Sequence, residues 1–271
     1  MKMKALNLGC GRRFHSDWVN VNFTSTGPSV IAADLSRGIP FAEQSFDVVY
    51  HSHLLEHFPK SEAPELISEC YRTLKPGGVV RVVVPDLENI ARQYLQCLEA
   101  ARRGDTGADE NYDWMMLELL DQLVRHHSGG AMAEYFFQQH LPNEQFILSR
   151  CGMEAQRLIE IGIKKRSSSG DPPEGPGFRY GWKSRLLKLL LGENRYKAME
   201  IGRFRMTGQN HLWMYDSYSL ARLLRDTGFA NVVECDADQS AIDGWPGFNL
   251  DTNPDGSVYK PDSLYMEARK P

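Results

Sequence analysis

Only five cysteines, Cys10, Cys70, Cys97, Cys151 and Cys235, are spread over 271 residues, odd in number and without a Cys-x-x-Cys pair. That spacing supports neither a disulfide framework nor a thiolate zinc cage, and a reducing compartment, the cytoplasm, is expected. Long apolar runs are missing as well. No window approaches the roughly 20 uninterrupted apolar residues of a membrane span, and the start of the chain, with Lys2 and Lys4 before a short apolar stretch, is no secretory signal. Net charge is small, −4, and no recognised RNA-binding motif is present, which argues against DNA as a partner and leaves RNA a minor alternative. No internal repeat is visible. What the chain does have is 42% hydrophobic residues, enough to bury a full core.

The small net charge hides an uneven distribution. Residues 164–205 carry eleven Lys or Arg against Asp171, Glu174, Glu193 and Glu200, a local +7, so the remainder carries −11. Such a patch suits a lipid headgroup, a phosphate-bearing substrate or a plain solvated face. Within it, Ser167 to Gly177 has nothing apolar to bury and two adjacent prolines, predicting a surface loop. Trp182, Leu186, Leu187, Leu189, Leu190 and Leu191, with Lys183, Arg185 and Lys188, then predict a short basic amphipathic helix. Core packing is the favoured use of its apolar side, and contact with a membrane surface through 179–205 is the alternative.

Apolar runs at 5–8, 18–21, 30–32, 46–50 and 79–84 read as strands, and short linkers between them imply parallel pairing. One helix is sharply marked: Ser61 as cap, Pro64 in the first turn, Leu66, Ile67, Cys70, Tyr71 and Leu74 at helical spacing, and Gly77 as stop. Helical patterns at 87–102, 112–126, 131–139 and 154–162 interrupt this order. The alternation then returns, with a helix over 217–227 capped by Asp216 or Ser217 and stopped by Gly228, and strands at 229–235 and 263–268. Asp255-Gly256 offers a turn between those two strands. The division expected is a core of 1–85 and 209–271 with a helical lid of 86–208.

The first strand runs into Gly9-Cys10-Gly11, and two glycines at a strand's carboxyl end let backbone approach a ligand closely. Arg12, Arg13 and Phe14 follow where a dinucleotide site needs a third glycine, so that fingerprint is incomplete. Further motifs follow in order: Ala33-Asp34-Leu35, Ile39-Pro40-Phe41, the run from Ser45-Phe46-Asp47 to Leu54-Leu55-Glu56-His57, and Leu74-Lys75-Pro76-Gly77-Gly78. With these the chain resembles the class I S-adenosylmethionine-dependent methyltransferases of the type 11 subgroup. Val84-Pro85-Asp86, Asp121-Gln122, Ser128-Gly129-Gly130, Trp213-Met214-Tyr215-Asp216 and Ser263-Leu264-Tyr265 extend the likeness to a bacterial branch of that subgroup. The resemblance implies a Rossmann-like seven-stranded α/β sheet with a final antiparallel hairpin, and S-adenosyl-L-methionine as cofactor with S-adenosyl-L-homocysteine as product.

It also implies roles. Gly9, Cys10 and Gly11 would pass under the methionine and ribose, with Asn7 at the strand end. Asn22 stands where an acidic residue normally accepts from the ribose hydroxyls, and an amide accepts more weakly than a carboxylate. Asp34 would accept from the adenine amino group unless it is a turn residue, Leu35 would pack on the ring, and His51 faces the cofactor. By strand alternation His51 and His53 share a side.

Methyl transfer needs mainly alignment, and a hydroxyl acceptor gains further from a general base. His53 is the first candidate; His57 and Asp86 are the other catalytic candidates, although His57 also fits a structural role and Asp86 also fits a helix cap. Arg125, in a donor-rich cluster with His126 to Gly130, together with Tyr94 and His211, is expected to bind substrate. His53-x-x-Glu56-His57 also looks like a metal-holding segment of some methyltransferases, but histidine replaces its first glutamate and no metal is assigned. The expectation is O-methylation of a small molecule or glycan, against N- or C-methylation, RNA methylation, or a non-catalytic S-adenosylmethionine-binding subunit.

Overall fold

The computed structural model describes residues 3–168 and 182–271. Two compact units emerge: Met1–Ile90, Arg150–Gly152 and Leu212–Pro271 form the first, and Ala91–Ser149 with Met153–His211 the second. The expected boundaries at 85 and 209 thus lie a few residues from these. The loop expected across Ser167 to Gly177 falls, from 169 onward, outside the described residues, as do the side chains of Trp182, Lys183 and Arg185.

The first unit is a seven-stranded sheet. Its strands are β1 (Ala5–Leu8), β2 (Val19–Asn22), β3 (Val30–Ala32), β4 (Phe46–Ser52), β5 (Leu74–Pro85), β6 (Ala230–Cys235) and β7 (Ser263–Arg269). They lie in the order β3-β2-β1-β4-β5-β7-β6, the first five parallel and β7 antiparallel to both its neighbours. The run 5–8 is buried at every position because β1 is central and covered on both faces.

One face is covered by α1 (Ala63–Thr73) and α8 (Ser217–Asp226). Leu66, Ile67 and Cys70 of α1 and Leu220 and Leu224 of α8 meet Leu6, Leu8, Val49, Val80 and Val82. The cap of α8 is a reciprocal capping box: Asp216 Oδ1 accepts from Ser219 N at 2.7 Å while Ser219 Oγ accepts from Asp216 N at 3.1 Å. The expected limits of α1 need correction. It starts at Ala63 behind Glu62 with no side-chain cap, and it ends at Thr73, before Gly77, because Leu74 is already extended and opens β5.

Among the described residues, no α-helix of this unit belongs to the core on the opposite face. Residues 236–262, with a 3-10 turn at Trp245–Phe248, cover it, and Trp18 packs edge to face on Tyr50 and Phe248 and tilted on Trp245. Asp255-Gly256 does not join β6 to β7 directly as expected; it closes a small loop inside this long connection, where Thr252 and Val258 form a bridge. Arg81 of β5 is fully buried beneath this cover. Its Nε donates to Asp251 Oδ2 at 2.7 Å and its Nη1 to Glu267 Oε1 at 2.8 Å, and the carbonyls of Gln239, Asp236 and Ala237 accept the rest. Trp245 lies 4.5 Å from the guanidinium carbon, and Tyr50 Oη donates to the other oxygen of Asp251 at 2.6 Å.

The second unit contains α3 (Ala108–Val124), α4 (Gly130–Phe136), α6 (Trp182–Leu191), α7 (Glu193–Arg205) and most of α2 (Leu87–Arg103) and α5 (Glu144–Ser168). The helices expected at 112–126, 131–139 and 154–162 are therefore offset, and α5 is longer than its pattern. It is broken at Gly152, whose φ of 58° and lack of a side chain allow the carbonyl of Tyr259 to come within 2.7 Å of where a Cβ would stand. Trp114 is fully buried and donates to Glu118 Oε2 at 3.0 Å.

His51 of β4 is wholly buried, and neither ring nitrogen has a hydrogen-bond partner among the described residues. Burial, opposed in part by the charge of Glu56, pulls its pKa down from 6.5 to about 4. The folded ring stays neutral while the unfolded one takes up a proton below its ordinary pKa, so this position stabilises fully above about pH 6.5 and ever less as pH falls towards 4.

Two outcomes follow. Arg81→Leu strands two buried carboxylates and lowers unfolding stability by about 3–5 kcal/mol in denaturant titration. Between pH 6.5 and 4 the wild type loses on the order of 3 kcal/mol through His51 alone, and His51→Leu flattens that part of the stability curve.

Candidate active site

Parallel strands of a doubly wound sheet end in loops whose free amides and carbonyls border a crevice. Here those ends are residues 9–11 after β1, 23–26 after β2, 33–36 after β3, 53–57 after β4 and Asp86 after β5. The Gly-Cys-Gly turn is left-handed at both glycines, φ 64° at Gly9 and 53° at Gly11. Gly9 is required by packing: a Cβ there would stand 2.9 Å from Leu54 Cδ1. Gly11 is different, since a Cβ there would meet nothing within 4 Å, so its backbone borders open space that any side chain would enter. That bare backbone at a strand's carboxyl end fits a ligand lying across it.

The turn is held from below. Cys10 N donates to Val21 O at 3.1 Å, Arg13 N to Cys10 O at 2.9 Å, and Thr26 Oγ1 to Gly11 O at 2.8 Å. Arg13 Nε donates to Leu250 O at 2.7 Å, its Nη2 bonds Thr252 O, and its guanidinium stacks 3.7 Å above the Tyr259 ring. Cys10 is buried, which pushes its thiol pKa up to about 11 and leaves it inert packing under the turn.

Several residues expected to touch the cofactor prove to serve the fold. Asn7 is buried, and its amide donates to Arg13 O and Asn20 Oδ1, both at 3.3 Å, tying β1 to β2 and to the turn. His51 is sealed inside the sheet layer and offers nothing to a ligand in the crevice. Asp34 caps a short 3-10 turn: Oδ1 accepts from Ser36 N at 3.1 Å and Ser36 Oγ at 2.7 Å, and Arg37 lies 3.3 Å from Oδ2. These bonds to Ser36, with Arg37 adding, hold its carboxyl below the ordinary range although it is exposed. Asn22 gives its amide to Thr24 O at 3.0 Å and leaves its carbonyl at the strand end. Leu35 is core, and also lines a cavity of about 340 Å³ with Ser36, Gly38, Phe58, Glu62 and Leu66.

After β4 the alternation stops at Ser52. His53 takes a left-handed backbone, φ 50°, with its N–H donating to Val83 O at 2.9 Å, so His53 does not continue the face of His51 as expected. Its Nε2 sits 2.9 Å from Ser263 Oγ on β7, and its Nδ1 3.2 Å from Oε1 of fully buried Glu56. Glu56 also faces Tyr215, whose hydroxyl has no hydrogen-bond partner among the described residues and whose pKa burial and Glu56 together push up to about 12. His57 lies in the same 3-10 turn as Glu56, half-buried.

Asp86 is a cap first: its Oδ1 accepts from Asn89 N at 3.1 Å at the start of α2, and it bridges to Tyr215. Burial raises its carboxyl above the ordinary range. In the second unit, Tyr94 packs with Tyr112 at 6.0 Å between ring centroids. Arg125 bonds the carbonyl of Gln209, half-buried, its pKa lowered by that burial. His211 is buried, its N–H donating to Gln122 O at 3.0 Å. The Ser128-Gly129-Gly130 cluster is not an open anion site: Asp121 fills it, accepting from Ala131 N at 2.7 Å, and a Cβ on Gly130 would stand 2.3 Å from that carboxylate.

Sequence reasoning gave no role to Ser263, which lies 210 residues from His53 and enters no local motif. Glu56 was visible only through its i, i+3 spacing from His53. Arg13 gave no signal beyond its place after the glycines.

Comparison with known proteins adds a partial match. Residues 15–82, about a quarter of the chain, match the model of a methyltransferase domain, Methyltransf_11. Comparison with curated proteins gives no match. Among solved structures, a Thermotoga maritima S-adenosylmethionine-dependent methyltransferase described as a possible histamine N-methyltransferase shares 10% identity at a TM-score of 0.39, over 100% of this chain and 84% of its own. An Archaeoglobus fulgidus S-adenosylmethionine-dependent methyltransferase shares 12% at 0.36, over 99% and 86%. The Haloferax volcanii complex of the Trm112 methyltransferase activator with a methyltransferase shares 10% at 0.38, over 99% and 83%. These similarities are weak, and the architecture is read from the chain's own strand order. Residues 15–82 thus match a methyltransferase domain, and they lie within the seven-stranded unit whose strand order is β3-β2-β1-β4-β5-β7-β6.

Proposed function

We propose that the chain transfers a methyl group from S-adenosylmethionine to a hydroxyl of a small molecule or glycan, with His53 as general base. The observation that carries this reading is the 2.9 Å pairing of His53 Nε2 with a hydroxyl, Ser263 Oγ, at the carboxyl edge of the sheet that bears the glycine turn. When bound, the cofactor supplies an electrophilic methyl on a sulfonium. Gly9 and Gly11 present bare backbone to it, the carbonyl of Asn22 accepts a ribose hydroxyl, and the exposed rim of the Asp34 turn, with the edge of Leu35, borders the adenine. His53 takes the acceptor's proton at Nε2 as the oxygen–carbon bond forms. Asp86 keeps the start of α2 in place, and His57 helps set the 3-10 turn. Within the helical unit taken by itself, Arg125 suits an anionic or polyhydroxyl group and Tyr94 a ring face, while buried His211 supports the fold there.

A second contact is supported by exposure. Leu186, Leu189 and Leu190 of α6 are 48%, 81% and 72% exposed, so the apolar side of this helix is not core, contrary to the favoured expectation. Over 182–205 seven Lys or Arg stand against Glu193 and Glu200. An apolar stripe in a basic setting suits an anionic membrane surface, on which the helix lies. No helix among the described residues is long and apolar enough to cross a membrane.

Isothermal titration with S-adenosylmethionine shows binding to the wild type and at least tenfold weaker binding to Gly11→Asn, whose side chain enters the open space and whose backbone tolerates the left-handed conformation; equal affinity would remove the turn from the site. His53→Ala lowers turnover, read as S-adenosylhomocysteine formed with hydroxylated acceptors, by about 10²- to 10⁴-fold with cofactor affinity unchanged. On sedimentation, the protein pellets with phosphatidylglycerol vesicles and not with phosphatidylcholine vesicles, and Leu189→Glu with Leu190→Glu abolishes this; pelleting of neither would dismiss the membrane contact.

A further inference from the structure

His53 has a neighbour at each ring nitrogen, a hydroxyl at hydrogen-bond distance from Nε2 and a carboxylate oxygen 3.2 Å from Nδ1, and the two differ in what they can do. Glu56 is 0% exposed, and an ionised carboxylate is an acceptor only. Its Oε1, 3.2 Å from Nδ1, is the group there that favours a proton on that nitrogen. In the neutral ring the proton can sit on one nitrogen alone, so Nε2 is left bare and the hydroxyl of Ser263, 2.9 Å away, is the donor. The backbone enforces the same placement. A non-glycine residue at φ 50° is uncommon, and it persists where surroundings over-determine it, here through the bond from His53 N to Val83 O.

We propose that Glu56 and Ser263 are positioning residues for His53: Glu56 locks the imidazole as the Nδ1–H tautomer, and Ser263 Oγ holds the bare Nε2 at the point where an acceptor's hydroxyl binds. The acceptor class is then an alcohol. A carboxylate, which brings no proton, has nothing to give Nε2. In the transfer the acceptor's hydroxyl displaces that of Ser263 at Nε2, the acceptor O–H bond breaks and its proton passes to the freed lone pair, the new oxygen–carbon bond forms, and the sulfur–carbon bond breaks with its electron pair left on sulfur. The imidazolium so produced lies against the buried charge of Glu56, which stabilises it.

A serine, a histidine and a carboxylate in this order are also the parts of an acyl-transfer site. Such a site needs amide donors for an oxyanion. Opposite Ser263 in the ladder stands Pro85, which has no N–H, and the next amide, of Asp86, is spent on Asp262 O at 3.0 Å. Neither position offers an oxyanion a donor, which favours Ser263 as the holder of a base.

The proposal rests on His53 being the base, and its test does not. With ¹⁵N-histidine-labelled full chain near pH 8, the His53 signals are assigned by their loss in His53→Gln. The wild type shows a protonated Nδ1 and a bare Nε2. Glu56→Gln populates the Nε2–H form, while Ser263→Ala keeps Nδ1–H and moves only the Nε2 shift. An Nε2–H ring in the wild type overturns the proposal, as does a Glu56→Gln spectrum unchanged from wild type. Should Glu56→Gln not fold, the wild-type tautomer and the Ser263→Ala shift decide. Turnover of Glu56→Gln falls by at least about 10²-fold with cofactor affinity retained, and labelling of Ser263 by a fluorophosphonate probe would instead make it a nucleophile. A tautomer as expected together with unaltered turnover in His53→Ala leaves the positioning intact and removes the base.

Discussion

A single guanidinium sealed inside the sheet sets the terms for the rest of the first unit. Arg81 sits in the middle of β5 with no water to solvate it, and its charge is tolerable only because Asp251, Glu267 and three backbone carbonyls converge on it. Those partners come from β7 and from the long connection before it. Folding that connection over the sheet is therefore a condition of burying Arg81, and the aromatic cluster of Trp18, Tyr50, Trp245 and Phe248 closes the same face.

This constraint reaches the candidate site by a short route. Asp251 is flanked by Leu250 and Thr252, whose carbonyls hold Arg13, and Arg13 in turn gives its own carbonyl to Asn7 beneath the glycine turn. On the other side, Tyr50, which bonds Asp251, lies three residues before His53. The turn that borders the open space and the histidine at its edge are thus fastened to one buried ion network. Such anchoring suits methyl transfer, in which alignment of donor and acceptor supplies much of the rate.

The strands of the parallel part could be anticipated because strands buried on both faces leave apolar-rich runs such as 5–8 and 79–84, even with Asn7 and Arg81 inside them. Helix limits were less legible. Gly77 looks like a stop for α1, yet the backbone had already turned extended at Leu74, since pairing with β4 outweighs helical spacing there. Roles of polar residues at strand ends were least legible. Asn7, Asp34 and Asp86 each have the chemistry of a ligand contact, and each bonds to nearby backbone or side chains instead, because short polar side chains reach local groups at little entropic cost.

By itself the sequence determined the layered α/β architecture, the glycine turn at the end of the first strand, the capping of α8 and the placement of histidines after β4. These depend on periodicity and on backbone conformations that few residues adopt, both of which are local. Only the tertiary structure decided that His51 is sealed away while His53 meets Ser263, that Asp121 fills the glycine cluster of the helical unit, and that Leu186, Leu189 and Leu190 of α6 stay exposed. Each of these depends on which distant segment arrives at a given point. A side chain's partners across 210 residues of chain are fixed by sheet register and burial, for which no local pattern of residues carries a signal.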